Sequence, residues 1–223
     1  MCEAIRRAVL VLVMLGLAGS MALAAGGSKI EEPDTTAPPS PEQQANERYN
    51  QGLQYRDDAW RLQKKLDNPE TPEAKRAKIE KKIRRAYESS VRELTAAVGF
   101  KPDHFQALGS LGYAYRQLAD FENALGAYDA ALELNPDYAE AIEYRGEAYL
   151  GLNRINEAQN AYRILLEKNA GLAAELLGSM EAWIAARRAE PGGIEIAQLD
   201  GFARWVEDRD QAASGSSLHK GRW

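Results

Sequence analysis

Slid against itself by 34 residues, the chain repeats. Residues 105–138 and 139–172 agree at 11 positions, among them Gly112 with Gly146, Tyr115 with Tyr149, Ala124 with Ala158, Tyr128 with Tyr162 and Asn135 with Asn169. Unrelated helices would agree at only a few. A half-unit upstream keeps the register, because Tyr87, Leu94, Ala97, Pro102 and Asp103 lie one period before Phe121, Tyr128, Ala131, Pro136 and Asp137. A period of this length marks arrays of supersecondary units, each burying its apolar face against its neighbours.

The units are helical. Ile79, Ile83, Tyr87, Val91, Leu94 and Val98 recur at steps of three and four, one face of a long helix, and strand-type alternation is missing from Pro41 to about Arg188. Helix starts are expected at Thr71 before Pro72, at Asp103 after Pro102, and at Asp137 after Pro136 with Glu140 completing a capping box. Residues 42–66 and 72–99 read as an elongated hairpin joined by Asp67 to Thr71. After residue 172, the stripe Leu172, Leu176, Leu177, Met180, Trp183 and Ile184 is suited to closing the far end. Pro191-Gly192-Gly193 then makes a turn before a last helix, 194–209, carrying Ile196, Leu199, Phe202, Trp205 and Val206.

Leu108-x-x-Leu111-Gly112-x-x-Tyr115, then Ala124-x-x-x-Tyr128, then Pro136, resembles the tetratricopeptide repeat. The residue types make physical sense. Gly112 and Ala124 are small where two helices cross closely, Tyr115 and Tyr128 fill the gaps around them, and Pro136 ends the second helix. The next unit, with Ile142, Gly146, Tyr149, Ala158 and Tyr162, places Arg145 where an apolar residue is usual and Ala170 where proline is usual. The resemblance covers residues 42–188, most specifically the units 105–138 and 139–172. It implies an all-α fold, a short right-handed solenoid of antiparallel helical hairpins, with an elongated amino-terminal hairpin and carboxy-terminal capping helices.

Ahead of the array, Arg6 and Arg7 precede an apolar run from Ala8 to about Leu23 and the small-x-small pattern Ala22-Leu23-Ala24, as in an export signal. Residues 1–24 are expected to be a cleaved leader and the protein to be periplasmic or secreted, with no stable membrane span after cleavage; an uncleaved anchor is the weaker alternative. Residues 25–41, dense in Gly, Pro, Ser and Thr, read as a disordered linker, 189–212 as a carboxy-terminal helical segment and 213–223 as a disordered tail. The one cysteine, Cys2, leaves with the leader, so the remainder forms no disulfide and offers no thiol chemistry. Without Glu3, Arg6 and Arg7 the chain has 26 basic and 32 acidic residues, a balance that argues against nucleic acid as partner.

Chemistry is sparse. With two histidines, His104 and His219, and no cysteine beyond the leader, the usual triads and histidine metal sites cannot be assembled. No enzymatic activity and no cofactor are expected, and the expected role is binding a protein or peptide. The resemblance implies a concave groove lined by the first helix of each unit, which places Gly109, Tyr113 and Arg116, then Glu140, Glu143 and Glu147, on its exposed face. The three glutamates share one helix side, either as an acidic wall for a basic partner or as a solvated face. Some relatives clamp a terminal carboxylate with Lys, Arg and Asn; the matching positions here are Tyr49, Leu53, Ser110, Glu140 and Tyr144, so no such clamp is implied. The second charged surface is the run Lys75, Arg76, Lys78, Lys81, Lys82, Arg84 and Arg85. It is either a solvated face or a site for anionic lipid, anionic wall polymer or the acidic groove of a second copy, which would make a homo-oligomer.

Overall fold

Ser40 starts the first helix with a complete capping box. Its Oγ accepts from Gln43 N at 3.2 Å, its own N–H donates to Gln43 Oε1 at 2.7 Å, and Pro41 occupies the first turn, where no N–H is required. The computed structural model describes residues 38–219. The expected leader, most of the linker and residues 220–223 lie outside them.

Eight helices make up the described residues: α1 Pro41–Asp67, α2 Glu73–Phe100, α3 Phe105–Gln117, α4 Phe121–Leu134, α5 Ala139–Gly151, α6 Ile155–Lys168, α7 Ala170–Ala189 and α8 Ile196–His219. Consecutive helices pack as hairpins, and α1, α3, α5 and α7 also touch in succession, forming one continuous inner layer. This is a tetratricopeptide-type helical array with a long first hairpin. Among the described residues no helix is long and apolar enough to cross a membrane.

The repeated small residues do what their size suggests, though not identically in both units. A Cβ on Gly112 would lie 2.6 Å from the fully buried Tyr128 ring, so the glycine is the notch into which Tyr128 fits. At Gly146 the nearest atoms belong to Leu176 of α7, 2.7 Å from such a Cβ, and to Ala161. Tyr162 instead packs edge-on against Trp205 of α8, 5.4 Å between centroids. The last repeat thus lends its interior to the capping helices.

Both inner helices of the central units end alike. Asp120 N–H bonds to Tyr115 O at 3.0 Å and Ala119 N–H to Arg116 O at 2.9 Å; Arg154 and Asn153 repeat the pattern at 2.8 and 3.0 Å. This Schellman closure puts Ala119 at φ 61° and Asn153 at φ 60°. Asparagine tolerates that region and alanine does not, so Ala119→Gly should add about 1 kcal/mol of stability. Thermal melts would show a rise of a few degrees; an unchanged or lower midpoint refutes the claim of strain.

Several expected details differ. Thr71 does not cap α2: its hydroxyl donates to Lys65 O, and Pro72 stands at the cap position without a side-chain bond. His104, not Asp103, caps α3, its Nδ1 accepting from Ala107 N at 3.4 Å. The capping box of Asp137 and Glu140 does not form, because Asn135 Oδ1 accepts from Asp137 N–H at 3.2 Å and Asp137 pairs with Lys168. In each case the chain turns one residue later than the proline spacing suggested. Where Ala170 replaces the usual proline, no loop intervenes: Asn169 closes α6 and caps α7 through Oδ1 to Gly171 and Leu172 N–H. Arg145 is accommodated by reaching Asp129 of α4 at 2.6 Å. Of the last stripe, Leu199, Phe202 and Val206 are buried, but Ile196 is 72 % exposed and Ile194, just before the helix, is buried instead. The helix also runs to His219, into the stretch expected to be tail, since no proline stops it after residue 209.

Candidate partner-binding groove

The inner layer exposes a line of aromatic side chains. Trp60 of α1 donates from Nε1 to the Tyr113 hydroxyl at 2.7 Å, and the two rings meet edge to face at 5.9 Å. Tyr113 meets Tyr144 of α5 in the same manner at 5.3 Å. Trp60 is 40 % exposed, while Tyr113 and Tyr144 are half-buried. Arg56 lies over the Trp60 ring at 4.3 Å, and Arg116 lies 5.1 Å from the centres of both tyrosine rings.

Arg116 organises the floor of the groove. Its guanidinium pairs with Glu147 of α5, whose other oxygen accepts from Ser179 Oγ of α7 at 2.5 Å, so one ionic cluster joins three inner helices. Burial alone would weaken the charge on Arg116, and the adjacent Glu147 carboxylate together with Tyr128 and Tyr113 more than restores it.

Glu143 has no such partner. It is 3 % exposed and its Oε2 is buried without a hydrogen bond. Burial, followed by repulsion from Glu147, pushes its carboxyl up to about 8; Arg116 opposes that shift, and Glu175 and Glu140 add to it. At neutral pH the group is therefore largely a neutral acid. Arg116 Nε and the Tyr128 hydroxyl are likewise buried and unbonded beneath the same surface.

The structure thus brings Tyr113, Arg116, Glu140, Glu143 and Glu147 to one side, but not as an acidic wall. Glu147 is neutralised by Arg116, Glu143 is buried, and only Glu140 stands fully exposed. Gly109 is not on the groove surface at all: a Cβ there would lie 2.5 Å from Tyr138, which covers it. Helical spacing puts residues on one side of a helix; whether that side is open depends on neighbouring helices.

Three participants were not found from the sequence. Trp60 sits eight residues after Gly52, beyond the end of a standard inner helix, and only the extra turns of α1 bring it over Tyr113. Arg56 stands four residues after Gly52 as Arg116 does after Gly112, a correspondence that the sequence does carry. Ser179 has no sequence signal, since its role depends on where α7 docks.

Residues 105–138 match the tetratricopeptide repeat family. No curated protein matches the chain. Among solved structures, the chain is similar to the Arabidopsis OM64 TPR domain, with 14 % identity over 61 % of this chain and 93 % of that one, TM-score 0.48. It is also similar to the first TPR of Spaghetti (RPAP3) bound to the HSP90 peptide SRMEEVD, with 21 % identity over 63 % and 94 %, TM-score 0.48. The TPR2B domain of yeast Sti1 in a pHsp70 complex gives 13 % identity over 74 % and 98 %, TM-score 0.39.

Proposed function

We propose that the chain is an exported protein-interaction module, an adaptor or assembly factor that holds an extended or helical segment of an envelope protein against its inner layer. The observation that carries this is the partly open platform of Trp60, Tyr113 and Tyr144 with Arg56 and Arg116 among the rings. Tryptophan, tyrosine and arginine supply most of the energy at protein interfaces because they bury much area at little entropic cost. An anchor residue would rest on the platform, and a basic side chain of the guest would face Glu140. Export is supported by the leader-like residues 1–24 and the absence of cysteine after them.

The test is a photo-crosslinking residue placed at Glu140, in the groove, and in parallel at Glu133, on the exposed side of α4. Partner adducts are expected from position 140 and not from 133, and Trp60→Ala should cut their yield roughly tenfold, the effect of losing one hot-spot side chain. Adducts that form equally at both positions, or that survive Trp60→Ala undiminished, would defeat the proposal.

A further inference from the structure

The charge of this protein is divided between two regions. Residues 61–85 hold ten Lys and Arg against four Asp and Glu, a formal +6, while the remaining 198 residues hold 18 against 29, a formal −11. The basic stretch is the turn end of the α1–α2 hairpin. Those helices have 27 and 28 residues against 13 in α3, about 40 Å against about 20 Å at 1.5 Å per residue. The end of α3, at Gln117 and Leu118, lines a cleft with Gln63 and Leu66 of α1 and Ala77, Glu80 and Ile83 of α2, so the array covers one side of the hairpin end and leaves its other faces open.

The cations there are unspent. Among the described residues only Arg61 and Arg76 of this stretch have a carboxylate in ion-pair range, Asp58 and Glu73. All six lysines are exposed and have none. Arg61, Lys64, Lys65 and Lys82 converge on one cleft between the helices, whose single acid, Asp58, is the partner of Arg61. Like charges packed this densely repel one another and weaken the fold unless a polyanion neutralises them.

We propose that this end of the hairpin is a docking surface for the phosphate headgroups of an anionic lipid bilayer. Charge complementarity gives the sign, and two further features choose the partner. No aromatic side chain lies between Trp60 and Tyr87, so there is nothing on which nucleic-acid bases could stack. The lysines are spread over both helices and are compact point charges, suited to many mobile phosphates in a plane and not to one rigid ligand. Seated this way, the hairpin would stand the array on the membrane with the groove of the proposed module free.

The experiment is vesicle co-sedimentation of the full chain, comparing it with K64E/K65E/K82E and, as a second variant at other exposed positions, K75E/K78E/K81E. Vesicles of phosphatidylcholine with about 30 % phosphatidylglycerol are compared with phosphatidylcholine alone, in about 0.1 M salt. The wild-type chain should prefer the anionic vesicles, and three reversed lysines should lower that affinity roughly hundredfold. Both variants should match wild type on neutral vesicles, where any leader insertion is common to all three. Unchanged binding of both variants to anionic vesicles overturns the proposal. So does displacement by millimolar inorganic phosphate, which assigns the cleft to a soluble anion, and so does a lipid-free, salt-sensitive dimer lost in the variants, which assigns the patch to a second copy. Trp60→Ala should bind vesicles normally, which separates this surface from the groove.

Discussion

Glu143→Gln is expected to stabilise the protein relative to wild type by an amount that grows by about 2–4 kcal/mol between pH 5 and pH 8. The cause is the buried, unbonded carboxyl beneath the groove, whose ionisation is pushed up to about 8 by burial and by Glu147, against an ordinary value of 4.5. Between those values the folded chain keeps a proton that the unfolded chain has released. Stability of the wild type therefore falls as pH rises through this window and levels off above about 8. Glutamine is neutral at every pH and removes the slope. For a protein of this size the difference corresponds to roughly 5–15 °C in melting temperature at pH 8 beyond any offset seen at pH 5. Parallel melting curves for the two proteins across this range would show that Glu143 ionises normally. The same proton bears on binding, because a cationic guest group beside Glu143 would favour the ionised form, so capture of a basic segment should release a proton and tighten with pH.

Tyr128→Ala should cost about 3–5 kcal/mol, the range for removing a fully buried aromatic side chain. Tyr128 fills the notch left by Gly112 and lies under Tyr144 at 6.5 Å, so its loss opens a cavity between the first central hairpin and the groove floor. Its hydroxyl has no hydrogen-bond partner, so Tyr128→Phe should be close to neutral. The notch predicts a coupling as well. Gly112→Ala alone forces a Cβ to within 2.6 Å of the ring and should cost about 1–3 kcal/mol, whereas in a Tyr128→Ala background it should cost almost nothing. Denaturant melts of the four proteins in this cycle give the coupling directly. Additive effects would mean that the glycine is small for a reason other than Tyr128.

The elements that were legible in advance are those whose causes are local. The 34-residue register, the small residues at the hairpin crossings, the elongated first hairpin and the apolar face of α7 are all written in spacing and side-chain size, and all appear in the fold. Helix caps were less legible. Asp103 and Asp137 are good capping residues next to prolines, yet His104 and Tyr138 occupy the cap positions, because Asn135 and the turn geometry compete for the same backbone groups.

The groove shows where local causes end. From its own chain, α5 determines that Glu140, Glu143 and Glu147 share a helix side, since steps of three and four bring residues into line. It cannot determine their chemistry. Arg116 arrives from α3 to neutralise Glu147, Ser179 arrives from α7 to bind its other oxygen, and the same packing buries Glu143 with nothing to bond to. Three identical residues thus become an exposed anion, a buried acid and half of an ion pair. The repeat and its helical hairpins follow from periodicity within the chain, while the charge and openness of the groove were decided by tertiary packing, because burial and pairing depend on side chains some 30 residues away in sequence that only the stacked array brings into contact.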